Sequence, residues 1–109
     1  MKVAFATADR EHVNEQFRRA SQLVVYEATA DGWRLDRTCA FPPDRAIKTD
    51  ERMRAIAGAS IVFVTAIGPS SAARLAQRGI RAATAPAGTR IDDLLLRLAP
   101  GHAGSLRSP

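Results

Sequence analysis

The residues of this chain that could do chemistry fall in two short segments. The first, Ala8–Arg19 (ADREHVNEQFRR), carries Asp9, His12, Arg18 and Arg19. The second, Thr65–Ser71 (TAIGPSS), runs from the end of an apolar strand through Gly68-Pro69 into Ser70 and Ser71. A helix starting at those serines presents unpaired backbone N–H groups and the positive end of its dipole. The paired arginines add cations and forked hydrogen-bond donors. Such groups attract an anionic ligand, and open α/β sheets put ligands beyond the carboxyl ends of their strands.

The motifs of the common catalysts are absent. There is no GxxxxGK[ST] phosphate loop, no GxGxxG, no CxxC and no HExxH. Ser70 and Ser71 lack a nucleophile elbow, and the two histidines, His12 and His102, fall in a loop and in the tail. A two-metal nuclease needs several carboxylates at strand ends. The strand Ile61–Ala66 (IVFVTA) carries none, and Asp9 stands alone after the first strand. The enzymatic alternative that remains is a hydrolase using Asp9 and Asp36.

The elements that must position these segments can be read along the chain. Val3–Thr7 reads as a buried strand, and Asp9–Ala20 as a helical turn or an ordered loop. Leu23–Ala28 (LVVYEA) is a strand, followed by a hairpin signal at Asp31-Gly32. Trp33, Leu35, Cys39 and Phe41 then share one strand phase, which Arg37 breaks. Thr49 is expected to cap a helix with Met53, Ile56 and Ala57 inward, stopped by Gly58. Ile61–Ala66 is apolar throughout, as for a strand covered on both faces. Ala72, Leu75 and Ala76 form the inner stripe of the next helix, Gly79 stops it, and Arg81–Ala85 is a short strand. Thr89 is expected to cap the last helix, with Ile91, Leu94, Leu95 and Leu98 inward.

The order β-β-β-α-β-α-β-α describes an α/β fold. An antiparallel meander is followed by right-handed crossovers, giving a mixed five-stranded sheet with flanking helices in a ribonuclease-H-like arrangement. One domain is expected over residues 1–99, with a flexible tail over 100–109. The 109 residues suffice for one core. A composition of 46% hydrophobic and 25% charged residues is that of a globular chain, and no apolar run reaches the roughly 20 residues of a membrane helix. The net charge of +5 comes from scattered residues, with aromatics at 6%, which does not describe a nucleic-acid surface. A single cysteine, Cys39, rules out an internal disulfide and points to a reducing cytoplasm.

Two stretches resemble a known family. KVAFATADREHVNEQFRRASQLVVYEATADGW is similar to the opening of the nitrogenase cofactor-carrier family. These are the NifX-type small proteins, related to the C-terminal domain of the cofactor-synthesis protein NifB. IVFVTAIGPSSAARLAQRGI, with AGTRIDDLLLRL downstream, resembles that family's second half. The likeness runs from about Lys2 to Leu98 without a large insertion.

The resemblance implies a non-catalytic cytoplasmic protein of nitrogen fixation. Such a carrier binds an iron–sulfur precursor of the iron–molybdenum cofactor, or the cofactor itself, and passes it among cofactor-assembly proteins. Neither nucleic acid nor membrane is implied, and the oligomeric state is left open. The alternative is an interaction or regulatory module of the same fold that has lost tight cluster binding. The implied cluster-binding residues are His12, Gln16, Phe17, Arg18, Arg19, Thr65, Gly68, Ser70 and Ser71. The chain departs from its family in having Gln16-Phe17-Arg18 where the pattern reads H-F-G. Some relatives carry a cysteine near the turn that holds Thr65, Ala66 and Ile67 here. If the first loop were helical, His12 would share a face with Gln16 and could supply the metal ligand in its place.

Overall fold

The computed structural model describes residues 1–98. The tail expected over residues 100–109 lies outside that range. The strands are β1 (Lys2–Thr7), β2 (His12–Val13), β3 (Gln22–Thr29), β4 (Gly32–Ala40), β5 (Ile61–Val64), β6 (Arg81–Thr84) and β7 (Thr89–Arg90). The helices are α1 (Thr49–Ala55), α2 (Pro69–Gln77) and α3 (Ile91–Arg97), with a 3-10 turn at Phe17–Arg19. Five strands form one mixed sheet in the order β4-β3-β1-β5-β6. β3 is antiparallel to β1 and β4, and β5 is parallel to β1 and β6. The expected five-stranded α/β architecture is thus present.

Two cores sandwich this sheet. On one face Ala4, Ala6, Leu23, Val25, Val62 and Val64 meet Met53 and Ile56 from α1 and its end, Leu75 of α2, and Phe17. On the other, Val3, Phe5 and Val24 meet Val13 of β2 and Ile91, Leu94 and Leu95 of α3. The central strands β1 and β5 are therefore apolar on both sides, which is why they read as continuous hydrophobic runs. Phe5 stacks on Phe63 with centroids 5.5 Å apart and meets the Tyr26 ring edge-on at 5.9 Å.

Several local expectations are corrected. Asp9–Ala20 is an ordered loop with one helical turn at Phe17–Arg19, as expected, but it also contains a strand that was not: His12–Val13 pairs antiparallel with Thr89–Arg90 in a separate two-stranded ribbon. Thr89 is therefore a strand residue, and Arg90 holds the cap position of α3. Likewise Lys48 caps α1, and Thr49 is its first helical residue. Ala57 and Ala76 are exposed, and their expected inward places are taken by Arg52 and Ser71. An alanine satisfies either environment, so periodicity alone misplaces it.

The largest correction is in β4. Its register slips opposite Val25 and Tyr26, which pair with Arg37 and Leu35 and leave Asp36 as an extra residue. A bulge of one residue moves every later side chain to the other face. Trp33, before it, packs in the α3 core, while Cys39 and Phe41, after it, pack in the α1 core. These residues therefore do not share one face.

Candidate functional site

Because β1 and β5 run parallel and adjacent, the loops leaving them emerge at the same edge of the sheet. The loops are bonded to each other there. The Thr65 N–H donates to the Glu15 carbonyl at 3.0 Å, and the Phe17 N–H donates to the Ala66 carbonyl at 3.2 Å. Phe17 itself is fully buried in the α1 core. It is thus an anchor that pins the first loop, correcting its expected contact with a ligand. Thr65 also contributes through its backbone.

The anchored loops leave Gln16, Arg18 and Gly68 around a depression of about 260 Å³, completed by Ala66 and Ile67. A second hollow of about 360 Å³ lies against Gln16, Arg18 and Arg19. Both arginines are exposed and extend from the last turn of the 3-10 segment. Gly68 caps α2 and Pro69 follows at its first position. The first bond of α2 runs from the Ala72 N–H to the Gly68 carbonyl at 3.0 Å. The Ser70 and Ser71 N–H groups thus precede the helical ladder. Ser70 is exposed, whereas Ser71 is buried with Leu75 on the inner face of α2, so its side chain serves packing.

Gly68 has an ordinary φ of −72°. A Cβ built on it meets nothing within 4 Å. No backbone constraint demands glycine there; its effect is to leave the depression open. Gly79, at the end of α2, is different: its φ of 76° is one that side-chain-bearing residues rarely adopt.

His12 lies elsewhere in the first loop and lines neither hollow. Asp9 organises its turn. One Asp9 oxygen accepts the Glu11 and His12 N–H groups, both at 2.9 Å, and the other lies 2.8 Å from His12 Nδ1. These bonds, first the Glu11 N–H and then the His12 ring, hold the Asp9 carboxyl well below the usual carboxylate range. Arg10, at the corner, takes a left-handed φ of 64°. With Nδ1 donating to Asp9, Nε2 is the ring's remaining acceptor, the tautomer usual for a ligating histidine. Glu11 completes a group of three side chains with ligand atoms within 4.8 Å of one another. In the sequence Asp9 shows only as a lone carboxylate after the first strand or as a partner for Asp36; its organising role depends on backbone N–H groups that the sequence does not display.

The hydrolase pairing fails on distance. Asp36 sits against Lys2 Nζ at 3.4 Å, at the start of β1, while Asp9 follows its end. Six strand residues separate the two by on the order of 17 Å, too far for the carboxylates to share one metal or one water.

The fold and this edge define a class: a small α/β domain with a cation-flanked hollow at the carboxyl ends of its central parallel strands. Residues 1–101 match the family described as dinitrogenase iron-molybdenum cofactor. The chain is 38% identical to the protein NifX of Klebsiella pneumoniae over 87% of its own length and 63% of the relative's. It is 34% identical to the protein NifX of Herbaspirillum seropedicae over 90% of its length and 70% of the relative's. The chain belongs to the dinitrogenase iron–molybdenum cofactor family. It spans a little under two thirds of the Klebsiella relative. The crystal structure of PH0822 superposes with a TM-score of 0.65 at 22% identity, covering 90% of this chain and 89% of the other. That likeness bears on the fold alone. Among the described residues no helix is long and apolar enough to cross a membrane.

Proposed function

We propose that this protein carries a nitrogenase metallocluster, an iron–sulfur precursor of the iron–molybdenum cofactor or the cofactor itself, among cytoplasmic assembly proteins, without catalysing a reaction on it. The observation that carries this reading is the bonding of Glu15–Phe17 to Thr65–Ala66, which brings Gln16, Arg18 and Gly68 around one hollow. Arg18 and Arg19 supply positive charge, and the N-terminal N–H groups of α2 supply donors. A bulky anionic cluster needs both, and family membership favours that cargo. Binding rests on Gln16, Arg18, Arg19, Gly68 and Ser70, with Phe17, Thr65 and Ser71 as structural support. We also read the fold as ribonuclease-H-like, on its sheet order and its three-stranded antiparallel meander extended by two parallel strands.

A second reading, an interaction module that no longer holds cluster tightly, is favoured by one feature. Gln16 occupies the place of the family's histidine, and His12 is committed to Asp9 rather than to the hollow. An anaerobic titration with isolated cluster precursor separates the two. A carrier gains broad visible absorption that stays with the protein through gel filtration. Colour that elutes free of protein removes the carrier reading.

A further inference from the structure

Arg52, on α1, is only 7% exposed. Its guanidinium lies over the Phe41 ring at 4.6 Å from the centroid, and Nη1 donates to the Ala20 carbonyl at 2.6 Å. Its Nε is buried and has no hydrogen-bond partner. Buried donors are nearly always paired, so this cation is under-satisfied by the protein and favours negative charge nearby. The same side chain lines a hollow of about 320 Å³ together with Arg19, Arg45, Phe41, Pro42 and Pro43.

The charges around it favour an anion. Two acids act on Arg52: Glu15, which accepts the Ser21 hydroxyl at 2.9 Å, and Glu51, which is held by Arg45 at 2.7 Å. Three arginines outnumber them, and Arg19 makes no ion pair with another described residue. Phe41 and the two prolines provide a wall of low polarity, against which a charge-assisted hydrogen bond is stronger. Guanidinium forks match the two oxygens of a carboxylate or phosphate.

We infer that this hollow binds a small oxyanion, a carboxylate or phosphate group, held among Arg19, Arg45 and Arg52. The ligand's oxygens meet the guanidinium groups that line the hollow, while Arg52 Nε stays sealed beneath them. The inference stands on these residues alone and does not depend on the carriage of a metallocluster. Arg19 also borders the hollow at Gln16, so the two sites adjoin.

The test uses the ¹⁵N-labelled full chain without cluster, titrated with citrate or inorganic phosphate, with sodium chloride as the ionic-strength control. The Arg52 Nε–H and Phe41 ring resonances are followed. A saturable shift that chloride does not produce is expected. Arg19→Gln and Arg45→Gln, both at exposed positions, should each weaken it about tenfold, the loss of one charge-assisted contact. Arg52→Lys, which removes the fork, should abolish saturation. Saturation by citrate alone identifies a carboxylate site, by phosphate alone a phosphate site, and by both a general oxyanion pocket. A linear drift equal to that with chloride, or saturation unchanged in both glutamine variants, overturns the inference.

Discussion

Asp9 Oδ2 and His12 Nδ1 lie 2.8 Å apart across a turn that Asp9 holds closed with its other oxygen. The pair joins the end of β1 to the short ribbon at His12–Val13 that supports α3.

This turn makes stability depend on acid. The folded Asp9 carboxyl titrates below its unfolded value, so its contribution is present above the ordinary range near pH ~4 and is lost as pH falls further. Asp9→Ala should lower the urea midpoint at pH 7. The gap between variant and parent should narrow as pH drops below about 4. A constant gap down to acid would mean that the carboxylate's charge is not what closes the turn.

Leu95→Ala should cost roughly 2–5 kcal/mol in denaturant unfolding, because Leu95 is buried in the α3 core. The Leu95 carbonyl also accepts the Trp33 indole N–H at 2.8 Å. That bond uses backbone and should survive the substitution, leaving tryptophan fluorescence close to the parent's.

Gly68→Leu tests the hollow with little cost to the fold, since φ there is −72° and nothing lies within 4 Å of the added Cβ. Stability should stay within about 0.5 kcal/mol of the parent, as for a surface change. Cluster affinity should fall in anaerobic titration. Full affinity in a folded variant would move the ligand away from Gln16 and Arg18.

Ser70→Asp places a negative charge where the site offers donors. Ser70 is exposed and Ser71 is not, so the single change avoids disturbing the core. A carboxylate suits a helix start, so the melting temperature should hold or rise slightly. Cluster binding should weaken by charge repulsion.

Gln16→His with Arg18→Gly restores the family pattern in the hollow. Binding in the natural protein should weaken steeply with salt, since exposed charges are screened over about 8 Å at physiological ionic strength. The restored variant should bind more tightly and depend less on salt. His12→Ala should leave affinity unchanged in both, because His12 lines neither hollow. A loss on His12→Ala would instead put the metal at the Asp9–His12 turn.

What the sequence discloses here follows from the length scale of each signal. Ile61–Val64 is legible because it is apolar on both faces, and the α3 stripe because four residues repeat at helical spacing. The edge where the loops meet follows from two parallel strands ending together. The ribbon of His12–Val13 with Thr89–Arg90 is illegible, since two residues carry no period and their pairing spans most of the chain. Thr89, with Asp92 three residues on, imitates a cap, but its pairing with Val13 overrides that local preference. Phe17 reads as part of a binding motif, and only packing reveals that its ring points into the core. Arg37 was the one visible trace of the Asp36 bulge.

That bulge also bears on whether the protein stays dispersed. β4 is one of the two outer strands, and its free edge offers unpaired backbone groups to any passing chain. The extra residue at Asp36 bends the strand and interrupts its hydrogen-bonding rhythm, with Arg34, Asp36 and Arg37 clustered around the kink. A second copy therefore meets a bent, charged border instead of a straight template. Deleting Asp36 would straighten that border and invite edge-to-edge sheet growth into aggregates.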